Sequence, residues 1–192
     1  MPRTTDARTR TLETAADLFQ RQGYHGTPLS QILEESGAPR GSLYFHFPGG
    51  KEQIAAEAVD VASEEMEALI IWAAEKSTDP VEFLGRITGS VARWLEASDY
   101  TKGCPIATVT LELVPSIDEV GSAVRAAFGR WSHLIRQGLI DLGFPEERAQ
   151  GVALLAVTAI EGGLVLSRAD RSTVALRQVR EQLMAVVAPV SG

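Results

Sequence analysis

The stretch GAPRGSLYFHF, residues 37–47, decides the reading of the chain. Gly37 closes an amphipathic segment, because a glycine takes the left-handed conformation that stops a helix. Pro39 opens the next helix, where its missing N–H and fixed φ are tolerated. Leu43 and Phe47 lie four apart and pack inward, leaving Arg40, Ser42, Tyr44 and His46 on the other faces. A short helix with an apolar anchor and a face of Arg, Ser, Tyr and His suits a DNA groove. The stretch predicts the turn and recognition helix of a helix-turn-helix.

Leu12, Ala15, Ala16 and Phe19 fall at i, i+3, i+4 and i+7, which predicts a helix over about residues 7–22, stopped by Gly23. Thr27 and Pro28 read as the N-cap and first turn of a second helix whose inner face is Leu29, Ile32 and Leu33. Three helices therefore occupy the first fifty residues. Phe19, Gly23, Tyr24, Thr27, Ile32, Gly37, Gly41, Leu43, Tyr44, His46, Phe47, Lys51 and Glu52 stand in one register. In these positions the segment resembles the DNA-binding domain of the TetR family of bacterial transcriptional regulators. Two features depart from the common family form. Pro39 replaces the usual Ser or Thr before the basic residue, so a phosphate contact is missing and the helix cap must come from elsewhere. The connection PGGKEQ (48–53) is one residue longer and, with GCPIA at 103–107, resembles the LmrA/YxaF-like subgroup.

Composition fits an intracellular regulator. The 192 residues suffice for one or two domains. A single cysteine, Cys104, excludes an intramolecular disulfide framework and suits a reducing compartment. The amino terminus lacks a basic-then-apolar signal pattern. The most apolar run, Val152 to Leu166, is broken by Glu161 and short for a bilayer. The chain is thus expected in the cytoplasm, with no membrane partner. Net charge is −7, yet residues 1–51 carry six basic and five acidic side chains, so the acid sits in the remainder. Local field governs docking on DNA, and an acidic body discourages indiscriminate binding.

Strand alternation is nearly absent, and prolines at 80, 105, 115, 145 and 189 separate helical patterns. Helices are predicted over 50–78, 80–98, 106–114, 116–142, 145–168 and 172–188. The fold class is all-α, about nine helices, with a helix-turn-helix domain at 1–51 and an effector-binding and dimerisation domain at 52–192. The fourth helix would be a rod of roughly 40 Å.

Given the motif, Arg40 is expected to reach guanine O6 and N7 or a phosphate, with Ser42 beside it. Thr27 would offer its hydroxyl and helix N-terminus to a phosphate while serving as N-cap. Lys51 would meet the backbone as a point charge, and Gly41 would allow close approach to the groove. The resemblance implies phosphate contacts for Tyr44 and His46; His46 can equally cap its own helix. Along 145–168, Ala149, Val152, Ala153, Ala156, Ala159, Ile160, Gly163 and Leu164 suit close helix contact, joined by Leu176, Val179 and Leu183. The resemblance implies that the last two helices form a four-helix bundle with a second copy, with Val152, Ala156, Ala159, Gly163, Leu176 and Leu183 at the dimer interface. Two recognition helices set about 34–36 Å apart read a palindromic operator on double-stranded DNA.

The resemblance also implies a ligand pocket in the C-terminal part. Met66, Ile70, Phe83, Ile87, Trp94, Cys104, Ile106, Phe128, Trp131 and Ile135 are its candidate lining, although aromatics at helical spacing are more often core. Glu112 and Glu161 interrupt apolar runs and are the candidate polar anchors. The expected effector is small and largely apolar. The three histidines lie in separate segments without metal-ligand spacing, and neither a phosphate loop nor a nucleophile elbow occurs. No catalytic residue, metal or cofactor is expected. The reading is a homodimeric repressor released by its effector; the alternative is a helical small-molecule-binding protein without specific DNA recognition.

Overall fold

The structure, a computed structural model, describes residues 4–114 and 116–189, with side chains described except at positions 4–6, 40 and 42. Among the described residues every regular element is an α-helix: α1 (Thr4–Gln22), α2 (Leu29–Ser36), α3 (Arg40–His46), α4 (Gly50–Lys76), α5 (Pro80–Ala97), α6 (Pro105–Leu113), α7 (Asp118–Asp141), α8 (Glu146–Ala169) and α9 (Val174–Val187). Prolines mark the starts. Pro80 and Pro105 sit in the first turns of α5 and α6, while Pro28, Pro39 and Pro145 are the N-caps of α2, α3 and α8. The cap of α2 is thus one residue later than Thr27, and neither α2 nor α3 receives a side-chain cap hydrogen bond. Proline supplies the extended backbone that precedes a helix but no acceptor for its first N–H groups.

Packing divides the chain into two compact units, at places other than the 51/52 boundary drawn by function. One holds the residues up to Glu64 together with Cys104–Ala127; the other holds Glu65–Gly103 and the chain from Phe128 onward. Helices α4 and α7 contribute to both.

In the first unit α1 packs on α2 and α6, around Leu12, Leu18, Phe19, Ile32, Leu43, Phe47, Ile54, Ile106 and Val109, all buried. Gly37 closes α2 at φ 64°, as its position before the turn predicts. An Arg8–Glu57 ion pair and an Arg10 Nε bond to the Ser36 carbonyl (3.1 Å) bind α1 to α4 and α2.

In the second unit α9 packs against α5 and α8. By length and composition alone α8 could cross a membrane, but one of its faces is already occupied. Ala149, Val152, Ala153, Ala156, Ile160 and Gly163 are buried inside the unit. A Cβ at Gly163 would lie 3.1 Å from Leu176 and from Val179, so the missing side chain lets α8 and α9 approach.

Candidate nucleic-acid interface and ligand cavity

The seven-residue α3 presents two opposed faces. Leu43 and Phe47 are 3% and 1% exposed and root the helix in the first unit. Tyr44 and Phe45 are 66% and 81% exposed, and nothing lies within 4 Å of where a Cβ would stand at Gly41. The side chains of Arg40 and Ser42 lie outside the described residues. His46 is half-buried, edge-on to both Phe45 and Phe47. Exposure of two adjacent aromatics on so short a helix costs water contact with apolar surface, which a groove would relieve. Phe45 was not among the residues expected to touch DNA. Its signal in the sequence was an apolar residue between two polar ones, off the Leu43–Phe47 stripe.

The remaining two expected contacts are committed elsewhere. Thr27 is fully buried, and its hydroxyl donates to the Gly23 carbonyl at 2.6 Å. It tightens the α1–α2 turn. Lys51 Nζ donates to the Tyr24 carbonyl at 2.6 Å and stands 3.9 Å from the Tyr24 ring centroid. Burial pushes this ammonium below its ordinary pKa, partly offset by the Glu112 carboxylate. Burial, then Glu52, pushes the Tyr24 phenol upward.

Glu112 belongs to the same corner. Its Oε2 accepts the His25 N–H at 2.7 Å, and its Oε1 stands 2.1 Å from where a Cβ would sit at Gly23, a residue at φ 78°. The turn 23–27 is therefore gripped from α4 by Lys51 and from α6 by Glu112. Cys104 is nearby in sequence and acts as N-cap of α6, its Sγ accepting the Ala107 N–H at 3.4 Å. Neither Glu112 nor Cys104 joins the apolar cavity to which the expected effector residues contribute.

That cavity lies in the second unit. Met66, Ile70, Ile87, Trp131, Ile135, Val157, Ile160 and Glu161 enclose about 20 Å³, room for a single water. The structure thus brings together Met66, Trp131 and Glu161 of the expected set, with Ile70, Ile87 and Ile135. Phe128 stands edge-on to Trp131, with centroids 5.3 Å apart. Phe83 is buried elsewhere in the core, packed over Gly138. Trp94 is 47% exposed and lines no part of the cavity. Val157 and Ile160 were missed as lining because α8 is apolar almost all round, which hides its inward face.

Of the residues expected to face a second copy, Ala159 and Leu183 line an exposed apolar groove. Val152, Ala156, Gly163, Leu176 and Leu183 are buried within the chain's own second unit. Exposed apolar surface lies on the neighbouring stripe: Leu154, Leu155, Val165 and Leu166 are 44–61% exposed. A shallow apolar groove runs there between Leu155, Ala159 and Leu166 of α8 and Ala175, Val179 and Val186 of α9, with Leu183 at its floor.

Comparison with known proteins gives a consistent result over nearly the whole chain. Residues 12–58 match the family described as bacterial regulatory proteins, tetR family, and residues 80–182 match the C-terminal domain of LmrA/YxaF-like transcriptional regulators. YxaF of Bacillus subtilis, an uncharacterised HTH-type transcriptional regulator, is 36% identical over 95% of both chains. A crystal structure of a TetR regulator from Chloroflexus aurantiacus superposes with a TM-score of 0.81 at 28% identity, covering 97% of this chain and 96% of that one. A cysteine mutant of the TetR family regulator CifR, solved with a 26 bp double-strand operator DNA, shares the fold. Its TM-score is 0.78 at 20% identity, over 94% of this chain and 96% of that one.

Proposed function

The chain belongs to the TetR family of bacterial transcriptional regulators, with an LmrA/YxaF-like C-terminal domain, and we propose that it acts in the cytoplasm as a homodimeric repressor released by a small apolar effector. The carrying observation is α3 itself: an outward pair, Tyr44 and Phe45, on a helix rooted by Leu43 and Phe47. An exposed aromatic ring meets a thymine methyl or a sugar edge, and Arg40 and Ser42 supply the polar readout. Gly41 lets the helix backbone come close to the groove. Residues 1–51 read DNA, and residues 52–192 pair the chains and bind the effector.

A general argument supports pairing: one short helix reads too few bases for specificity, and two in successive grooves read a palindrome. The apolar groove of α8 and α9 is the surface suited to it. The effector would enter beside Glu161 and Trp131. With room for about one water there, any larger molecule must displace side chains, including Met66 and Ile70 of α4. Helix α4 starts three residues after Phe47, so strain at its far end bears on the reading head. A coupling of about 1–3 kcal/mol changes operator affinity roughly 5–150-fold.

The test is a titration of the purified protein against labelled DNA from its own upstream region, with a scrambled duplex as control, at two salt concentrations. Sequence-dependent binding with a steep salt slope is expected, abolished by Y44A and F45A together at unchanged fold. Equal, weak binding to both duplexes, unaffected by these substitutions, would instead favour a helical sensor that does not read DNA.

A further inference from the structure

On the flank of α9 that faces α5, three arginines gather in a cleft. The cleft measures about 510 Å³ and is walled by Trp72, Val81, Gly85, Gly89 and Met184, with Arg86, Arg93 and Arg180 against the two carboxylates Asp79 and Glu82, a size typical of small-molecule sites. Two glycines, 85 and 89, form its floor one helical turn apart. Arg180 Nε lies 3.5 Å and 4.0 Å from the positions their Cβ atoms would take, and Arg93 Nη1 lies 3.6 Å from the second. Two guanidinium groups thus converge on one point over Gly89.

Of the three arginines only Arg86 meets a carboxylate among the described residues, Glu82. Asp79 caps α5, accepting the Glu82 N–H at 2.8 Å. Glu82 accepts the Thr78 N–H at 3.0 Å and pairs with Arg86. Arg93 donates to the Ser90 hydroxyl at 2.7 Å. Among the described residues neither Arg93 nor Arg180 has a carboxylate partner. Arg86 Nε is buried with no acceptor, and the Arg86 guanidinium stands 5.9 Å from the Trp72 ring centroid. Converging like charges beside an exposed indole favour a ligand that brings an oxyanion and a flat apolar body.

We propose that the α5–α9 cleft binds a small organic oxyanion, a carboxylate or phosphate held by Arg93 and Arg180 with its apolar part against Trp72 and Met184. This site is separate from the cavity at Glu161. It also lies away from the apolar groove, because residues 180 and 184 project from the opposite side of α9 to residues 175, 179, 182 and 186.

Calorimetric titration of the full-length protein without DNA tests this, using benzoate, phenyl phosphate, inorganic phosphate and neutral benzyl alcohol as probes. Saturable binding is expected for benzoate or phenyl phosphate, and whichever binds identifies the oxyanion. Inorganic phosphate should bind more weakly than phenyl phosphate, and benzyl alcohol not at all. R180Q and R93Q should each weaken binding at least tenfold, while R180K, which keeps charge but loses the guanidinium fork, should fall between. R125Q, on α7, should bind as the parent does. Sedimentation and circular dichroism accompany each variant. Affinity unchanged in R93Q and R180Q overturns the proposal, as does absence of binding by all three anions at roughly 10 mM. If the arginine substitutions shift the oligomeric state and no anion binds, the arginines face a second copy of the chain and the proposal fails.

Discussion

At the level of single residues, the turn between α1 and α2 shows how a local motif depends on a distant one. Gly23 is legible in the sequence as a helix stop, and its φ of 78° agrees. Its second constraint is not legible, because the Glu112 carboxylate that fills its missing side-chain space comes from α6, far along the chain. G23A combines left-handed strain of about 1–3 kcal/mol with displacement of Glu112, and urea unfolding should report at least that loss. In an E112A background the clash is gone, so the double-mutant cycle should show that part of the penalty recovered. Strictly additive losses would mean that Glu112 does not press on Gly23. Lys51 gives the complementary case. Sequence reads it as a phosphate contact, whereas its ammonium is held on the Tyr24 carbonyl and ring. K51M should therefore lower stability and leave the salt slope of DNA binding unchanged; loss of one phosphate contact would reduce that slope by about 0.9. Leu43 and Phe47 were readable because their burial follows from spacing on one helix. Thr27 and Lys51 were not, because a polar side chain finds its partner in three dimensions.

Helix starts were the most legible elements where a proline stands at one, since proline is excluded from the helix interior but tolerated at its beginning, as at Pro28, Pro39, Pro80, Pro105 and Pro145. Expected and observed helices agree to within a few residues, from α4 at Gly50–Lys76 to α9 at Val174–Val187. The inward face of a helix is readable only where polar residues mark the other side. In α5 they do, and its start carries a paired cap: Asp79 accepts the Glu82 N–H, and Glu82 reaches back to the Thr78 N–H. The Thr78 bond, with the Arg86 side chain next, holds the Glu82 carboxyl below the ordinary value of 4.5. A depressed folded-state pKa gives stability that is complete above the unfolded value and disappears as pH falls through the folded one. Thermal melts from neutral to acid should therefore show a steeper decline for the parent than for E82Q in the range just below pH 4.5. Parallel curves would remove Glu82 from the acid response. In α8 the opposite holds: near-continuous apolar sequence leaves the buried face and the exposed face indistinguishable, so that Val152, Ala156 and Gly163 prove buried while Leu154, Leu155, Val165 and Leu166 are exposed.

For the molecule as a whole, charge and apolar exposure lead to the same arrangement. The basic excess lies in the first 51 residues and the acid in the rest, so a second copy is better approached through uncharged surface than through the acidic exterior. Leu154, Leu155, Val165 and Leu166 provide it, with Leu155 and Leu166 flanking the groove against α9. Each buries apolar area worth about 25 cal/mol per Å² when covered, and a charge placed there faces desolvation without a partner. If this groove pairs two copies as proposed, L155D with L166D should leave a monomer in sedimentation equilibrium. The fold should persist, because neither side chain is buried in a single chain, and circular dichroism should remain that of the parent. V152D serves as the contrast: Val152 is 6% exposed, so this change should unfold the second unit and not merely separate two copies. A monomeric L155D/L166D protein should also lose operator binding while keeping Tyr44 and Phe45 intact, since one recognition helix spans only half of a palindrome. A variant that stays dimeric would place the pairing surface elsewhere and separate dimerisation from the α8–α9 groove.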